Sequence, residues 1–296
     1  MTAWTVLGVP IDSVGRAGGT EHGPAALRAT GLLDRLGARD AGDLDVRIRG
    51  EERDPVTGVV GWPGVRDTTV AVRAAVRDLV AAGERPLLLG GCCALLPGAL
   101  GGVRDAIGTA GLAYLDGHLD LYDGHTSPTG EAADMPVSVI LGGGPDPWGD
   151  AAGGAPLLEA ADVEILGFRD LEQALADGHP PPEAFPGLRT VDAAALHAGD
   201  PGAAGVAAAA RFAADGRRFW LHLDVDILDE AQMPATDYLF AGGLDWDQLA
   251  ALIGPLGAAP GLLGANVTCF NPEKDPVGEW GRRLAGLLAG ALAPAA

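Results

Sequence analysis

The chain has 296 residues, of which 40 are acidic and 20 basic, giving a formal charge of −20. Such an excess repels phosphate backbones and anionic membranes, which argues against nucleic acid and membrane surfaces as partners. Although 48% of the residues are hydrophobic, no run reaches the roughly 18 or more apolar residues of a membrane span, and three cysteines (Cys92, Cys93 and Cys269) are too few for a disulfide framework or paired CxxC zinc knuckles.

In chain order, short apolar runs bounded by Gly, Pro and Asp read as strands: WTVLGVP, PLLLGG, GLAYLD, VEILGF, FWLHLDVDIL and LLGANVTCF. Between them, residues 23–37, 67–83, 94–106, 203–215, 245–256 and 279–293 carry helical spacing in Ala- and Leu-rich sequence. Alternation of strand and helix, with strands apolar on both faces, predicts an α/β protein with a parallel sheet covered by helices on each side. Residues 121–135 and 142–154 are the longest irregular stretches. Neither separates two plausible cores, so residues 1–296 are expected to form a single domain. The amino-terminal MTAWTVLGVPID shows no basic start, apolar stretch and cleavage site in series, and a cytoplasmic location is expected.

Chemistry concentrates at two strand ends. GLAYLDGHLD ends a buried strand in Asp116, His118 and Asp120, at alternate positions that share one face. FWLHLDVDIL does the same with Asp224 and Asp226. In a parallel sheet the carboxyl ends of the strands form the crevice where ligands bind, so the two clusters can converge. Four such acids in a partly dry cleft need a compensating cation, and an Asp/His donor set suits Mn²⁺ or a similar divalent ion.

The motifs GVPID, EHGPAALR, PLLLGGCC, DGHLD, ADMPVS, LDVDILDEAQMPAT, GGL and CFNP, in this order, resemble the ureohydrolase family of arginases, agmatinases and formiminoglutamases. The resemblance implies an arginase-like three-layer α/β/α fold with a mainly parallel sheet. It also implies a homo-oligomer that hydrolyses a linear C–N bond in a small guanidine, amidine or related molecule. Two Mn²⁺ ions would share a bridging hydroxide, with Asp116 and Asp224 touching both ions, His118 and Asp226 one, and Asp120 the other. Asp226 would also steady the hydroxide as a catalytic residue.

Several positions depart from the family pattern. Where the family has a His ligand this chain has Cys93, as in the subgroup containing the hydroxyarginine amidinohydrolase of cycloserine biosynthesis. A thiolate there favours Zn²⁺ over Mn²⁺; the alternative is a small buried thiol that binds nothing. Cys92 reads as packing. Cys269 takes the place of the Glu that grips the guanidinium, and Ala133 that of an active-site His. The loop offers Ser127 and Glu131 for substrate binding. Glu131 either holds a cationic substrate or moves protons, or else caps a short helix. His125 is a second candidate shuttle, or only an exposed loop His. After VEILGF, Glu172 is a candidate for the polar end of the substrate and Arg169 for a structural ion pair. His222 either orients a metal-binding carboxylate or is a satisfied core His. Two rivals stay open: a single-metal amidohydrolase resembling the deacetylases, built on Asp116, His118 and Asp224, and an inactive relative that only binds.

Overall fold

Successive side chains of a strand point to opposite faces of its sheet, and PLLLG follows this rule: Leu87 and Leu89 enter one buried cluster while Leu88 enters another. All three are fully buried, and each contributes about 1.5–3 kcal/mol by leaving water. That is why this segment runs through the middle of a sheet covered on both sides. The computed structural model describes residues 3–214 and 216–293. Its strands are β1 (Trp4–Val9), β2 (Arg39–Asp43), β3 (Arg85–Gly90), β4 (Gly111–Leu115), β5 (Val163–Leu166), β6 (Arg189–Val191), β7 (Phe219–Asp224) and β8 (Leu262–Thr268).

They form one sheet in the order β2-β1-β3-β8-β7-β4-β5-β6, and all neighbours run parallel. One face carries the helices Trp62–Ala81 and Leu96–Ile107, which bury Val65, Val72, Leu100 and Val103. The other carries Pro201–Ala214, Trp246–Ala258 and Glu279–Leu292, which bury Phe212, Leu249, Leu284 and Leu288. The expected three-layer α/β/α architecture is therefore present. Among the described residues no helix is long and apolar enough to cross a membrane.

All six expected strands occur. The two additional ones, β2 and β6, lie at the edges of the sheet, where one side of the ladder needs no partner; β2 is the wholly exposed RDAGD, which carries no apolar signal. Residues 23–37 do not form one helix, because Gly31 at φ 78° splits them into Gly23–Ala29 and Leu32–Leu36. The irregular stretch 142–154 contains the helix Asp146–Ala151. Asp215, at the end of the expected helix 203–215, lies outside the described residues.

For the site, the central order β3-β8-β7-β4 matters most. It sets side by side four carboxyl ends that are widely separated in sequence. Gly91 assists the convergence, since its carbonyl accepts a 2.6 Å hydrogen bond from the Cys269 amide and a Cβ there would collide with the Ile11 backbone.

Candidate metal centre

Just past the end of β4, the first acid is bound by its own turn. The His118 amide donates to Asp116 Oδ1 at 2.8 Å, and across the strands the Gly117 amide donates to Asp226 Oδ1 at 3.1 Å. At the end of β7 the Asp226 amide donates to Asp224 Oδ1 at 2.9 Å. Each carboxylate thus has one oxygen anchored to backbone and the other turned inward. Two groups of donor atoms result: Asp116, His118 and Asp226 in one, and Cys93, Asp116, His222 and Asp224 in the other. In the first, His118 Nδ1 lies 3.2 Å from Asp226 Oδ2 and 3.5 Å from Asp116 Oδ1. In the second, Cys93 Sγ lies 2.7 Å from Asp224 Oδ2 and 4.0 Å from Asp116 Oδ2. Asp116 spans both, one oxygen to each.

The electrostatics call for a cation. Two unit charges 4 Å apart repel by about 4 kcal/mol at an effective dielectric of about 20, and these acids are almost fully buried. Burial, then Asp226 and Asp116, push the Asp224 carboxyl well above the usual range. Burial opposes charge on His118, but Asp226 and Asp116 outweigh it and raise its pKa. Burial also disfavours the charged form of Asp116, yet hydrogen bonds from His118 and His222 hold its pKa low. Amide, thiol and imidazole protons meet the anionic demand of the cluster in part, and a divalent ion meets it better. The first group, one imidazole and two carboxylates, fits a hard ion such as Mn²⁺; the second, with its thiol, is softer.

His222 does not complete the second group. Trp220 Nε1, which can only donate, bonds Asn266 Oδ1 at 2.8 Å. The Asn266 amide nitrogen is thereby turned to His222 Nδ1 at 2.7 Å, so Nδ1 accepts and the ring proton sits on Nε2. That Nε2–H faces Asp116 Oδ2 at 3.5 Å and Cys93 Sγ at 3.6 Å. With Nδ1 held as an acceptor, Nε2 carries the one proton of the neutral ring and has no lone pair for a metal, so His222 orients its neighbours, one of the two roles its position suggests. Tyr114, opposite it in register, stacks on its ring at 4.3 Å and holds it flat.

The family model described as "Arginase family" matches residues 2–293. The chain belongs to the arginase family. An arginase of Brevibacillus brevis is 32% identical over 179 residues, which cover 57% of this chain and 58% of that protein, and one of Bacillus caldovelox is 31% identical over 175. The chain thus spans little more than half the length of these relatives. In fold, the arginase structure from Bacillus cereus superposes with a TM-score of 0.86 at 22% identity, covering 100% of both chains. A proclavaminate amidino hydrolase from Streptomyces clavuligerus gives 0.68 at 21% identity, covering 99% of this chain and 90% of its own.

The remaining residues named from the arginase-family resemblance divide by their surroundings. Asp120 borders a cavity that opens above both donor groups but lies outside them; its Oδ2 accepts from the Tyr114 hydroxyl and its backbone takes φ 50°. Glu131 precedes a 3₁₀ turn without capping it. Its carboxylate instead borders the cavity, accepts from Ser13 Oγ at 3.0 Å, and has its pKa raised by burial. Ser127 is buried and occupied within its loop, donating to Asp134 Oδ2 at 2.6 Å. His125 is exposed and does not border the cavity. Glu172 is exposed at the cavity rim. Cys92 is buried in the core beside Ser13.

Arg169 makes no ion pair among the described residues, contrary to expectation. Its guanidinium donates to the carbonyls of Asp226 at 2.7 Å and Phe240 at 2.9 Å, tying the loop after β5 to the loop after β7. Sequence reasoning missed the partner of His179, a buried ring whose Nε2 accepts from the Leu121 amide at 3.0 Å and so pins the loop that follows Asp120. It also missed Asp12, Tyr238 and Lys274, which line the cavity of about 1210 Å³ above the metal-binding residues. Asp12 follows an apolar strand much as Asp116 does, and that was the available signal.

Proposed function

We propose that this chain is a metal-dependent hydrolase of a linear C–N bond in a small guanidine, amidine or related molecule. The observation that carries the reading is the meeting of Asp116, His118, Asp224, Asp226 and Cys93 at the carboxyl ends of β4, β7 and β3, at the floor of one large cavity, in an arginase-family chain. Ions bound there would neutralise the cluster and activate water as a nucleophile. Asp116 spans the two halves, and backbone amides anchor one oxygen of each of Asp116, Asp224 and Asp226, so that the carboxylates are held at the strand ends before an ion binds.

Substrate contacts differ from the family pattern at Cys269 and Ala133. Glu131 is the residue suited to replace what is missing. Its carboxylate borders the cavity above the cluster, keeps the Ser13 hydroxyl as donor, and is raised in pKa by burial, as a group that holds a cation or a proton requires. Asp12 lies nearby and affects it through its charge. Occupied Ser127 and exposed His125 have no part in this reading. Glu172 can meet the far polar end of a substrate at the rim. The family likeness also supports assembly as a homo-oligomer and a cytoplasmic setting.

The test is a panel of guanidino, amidino and formimino compounds, assayed for released urea, amine or ammonia with Mn²⁺- or Zn²⁺-loaded protein. At least one linear member should turn over and lose turnover with chelator. Absence of turnover throughout, with metal shown to be bound, would leave a binding protein. Turnover confined to simple amides with one equivalent of metal would favour the deacetylase-like rival.

A further inference from the structure

Cys269 faces the wrong way for a residue that only lines the substrate cavity. It follows β8 directly, and its sulfur lies 3.7 Å from Cys93 Sγ although 176 residues separate them. Cys93 in turn bonds Asp224 Oδ2 at 2.7 Å. The backbone there sits at φ 65°, a left-handed conformation that a side chain other than glycine adopts at a cost. The conformation is held by the bond from the Cys269 amide to Gly91 O, next to the Cys92–Cys93 turn. Two thiols and a carboxylate are thus brought together from β3, β8 and β7.

The spacing has a chemical meaning. With a Zn–S bond of about 2.3 Å, two sulfurs at tetrahedral angles stand about 3.8 Å apart, and these stand 3.7 Å apart. The fixed proton on His222 Nε2 removes the one imidazole from the donor set. What is left of that group is Cys93 with Asp224 and Asp116, and the Cys269 sulfur, outside the group, stands within reach of Cys93. Sulfur donors select against manganese and for zinc. Asp224 Oδ2, at 2.7 Å from Cys93 Sγ, is closer than two ligands of one ion stand, so an ion entering here separates that pair by turning the carboxylate.

We propose that the half of the centre nearest β3 and β8 is a zinc-type site ligated by Cys93, Cys269, Asp224 and Asp116, and that the His118 half takes a harder ion, so that the two halves hold unlike metals. This deepens the metal-dependent reading above and rests on the cluster being a metal centre. It gives Cys269 a role as ligand in place of a role in gripping substrate, and it explains why the two departures from the family pattern, at Cys93 and at Cys269, occur in contact with each other. The substitutions are one change of metal chemistry.

The experiment uses the full chain, reduced and stripped of metal, titrated with Co²⁺, Zn²⁺ and Mn²⁺ separately and in competition. Co²⁺ reports thiolate ligation by near-ultraviolet sulfur-to-metal charge-transfer absorption, whose intensity follows the number of sulfurs. The expected result is a band that falls by about half in Cys269→Ser and in Cys93→Ser and disappears in the double variant, each bound thiolate contributing separately. Cys92→Ala should leave it unchanged. Zn²⁺ should abolish the band and protect two of the three thiols from a thiol reagent, while one equivalent of Mn²⁺ stays bound. A band absent from wild type, or unchanged in Cys269→Ser, overturns the proposal, and so does complete displacement of Mn²⁺ by one equivalent of Zn²⁺. Wild-type spectra and thiol protection decide the matter even if a variant fails to fold. Loss of the two-sulfur signature with turnover intact sinks only this proposal; a two-sulfur site without turnover on any substrate sinks only the hydrolase reading.

Discussion

The two halves of the centre are built from the same sheet by the same device, yet they differ in donor chemistry. Around His118 the ligands follow from one local motif and its neighbour: Asp116 and His118 from the turn after β4, Asp226 from the turn after β7. Around Cys93 the donor groups come from the ends of four strands, and the nitrogen that lies there is already protonated toward the cluster. The first half is hard and local, the second soft and assembled. A substrate cavity can therefore keep its position in the fold while one of its metals changes character, because the sheet fixes where the strand ends meet and leaves the residue type at each end free.

The largest effect should come from the one carboxylate common to both. Asp116→Asn removes charge from each half, and both metal occupancy and turnover should fall to background, measured by elemental analysis and product release. Retention of either ion at full occupancy would contradict the shared role. Asp224→Asn should separate the halves: the ion beside Cys93 is lost first, while the ion beside His118 persists with weakened binding. Equal loss at both would make Asp224 a bridge of the same rank as Asp116. Asp120→Asn should be milder than either. Asp120 lies outside both groups with an oxygen on Tyr114, and neutralising such an outer residue typically lowers metal affinity by about 10–100-fold. Complete metal loss in that variant would instead make it a ligand.

Above the candidate metal centre, Glu131→Gln tests the cavity wall against the floor. Losing a charged hydrogen-bond partner costs about 1.5–3 kcal/mol, so KM for a cationic substrate should rise about tenfold or more, with little change for a neutral analogue and unchanged metal content. Equal shifts for both substrates would remove Glu131 from recognition.

The smallest expected effect concerns the loop rather than the centre. His179 is held neutral, its pKa lowered to about 4 mainly by burial, whereas in the unfolded chain it titrates near ~6.5. Between these values the unfolded state binds the extra proton. The contribution is thus complete above the unfolded pKa and is lost as pH falls through the folded one. His179→Gln, which can still accept from the Leu121 amide, should flatten the dependence of Tm on pH over that interval. Identical slopes for variant and wild type would show that the titration lies elsewhere.

The legible part of the protein was local. Six strands, the two-sided core and the acids at the ends of β4 and β7 follow from periodicity two and from turn residues, properties of a few consecutive positions. β2 and β6 were invisible because edge strands need neither a continuous apolar run nor much length. Glu131 was left between capping and cavity by its sequence, and the structure turns it into the cavity, since its loop is tied down by Ser127, Asp134 and Arg53.

Hydrophobic alternation and strand-end acids are written along the chain, and they specify the α/β architecture and the carboxylates that need a cation. Which thiols, acids and imidazoles meet is set by packing. The sheet order β3-β8-β7-β4 is not the chain order, so Cys93 finds Cys269 and His222 finds Asn266 across strands whose adjacency no short stretch of sequence encodes. The proton on His222 is decided by Trp220, through an amide on a neighbouring strand. Donor identity is a property of residues, but a ligand set is a property of packing.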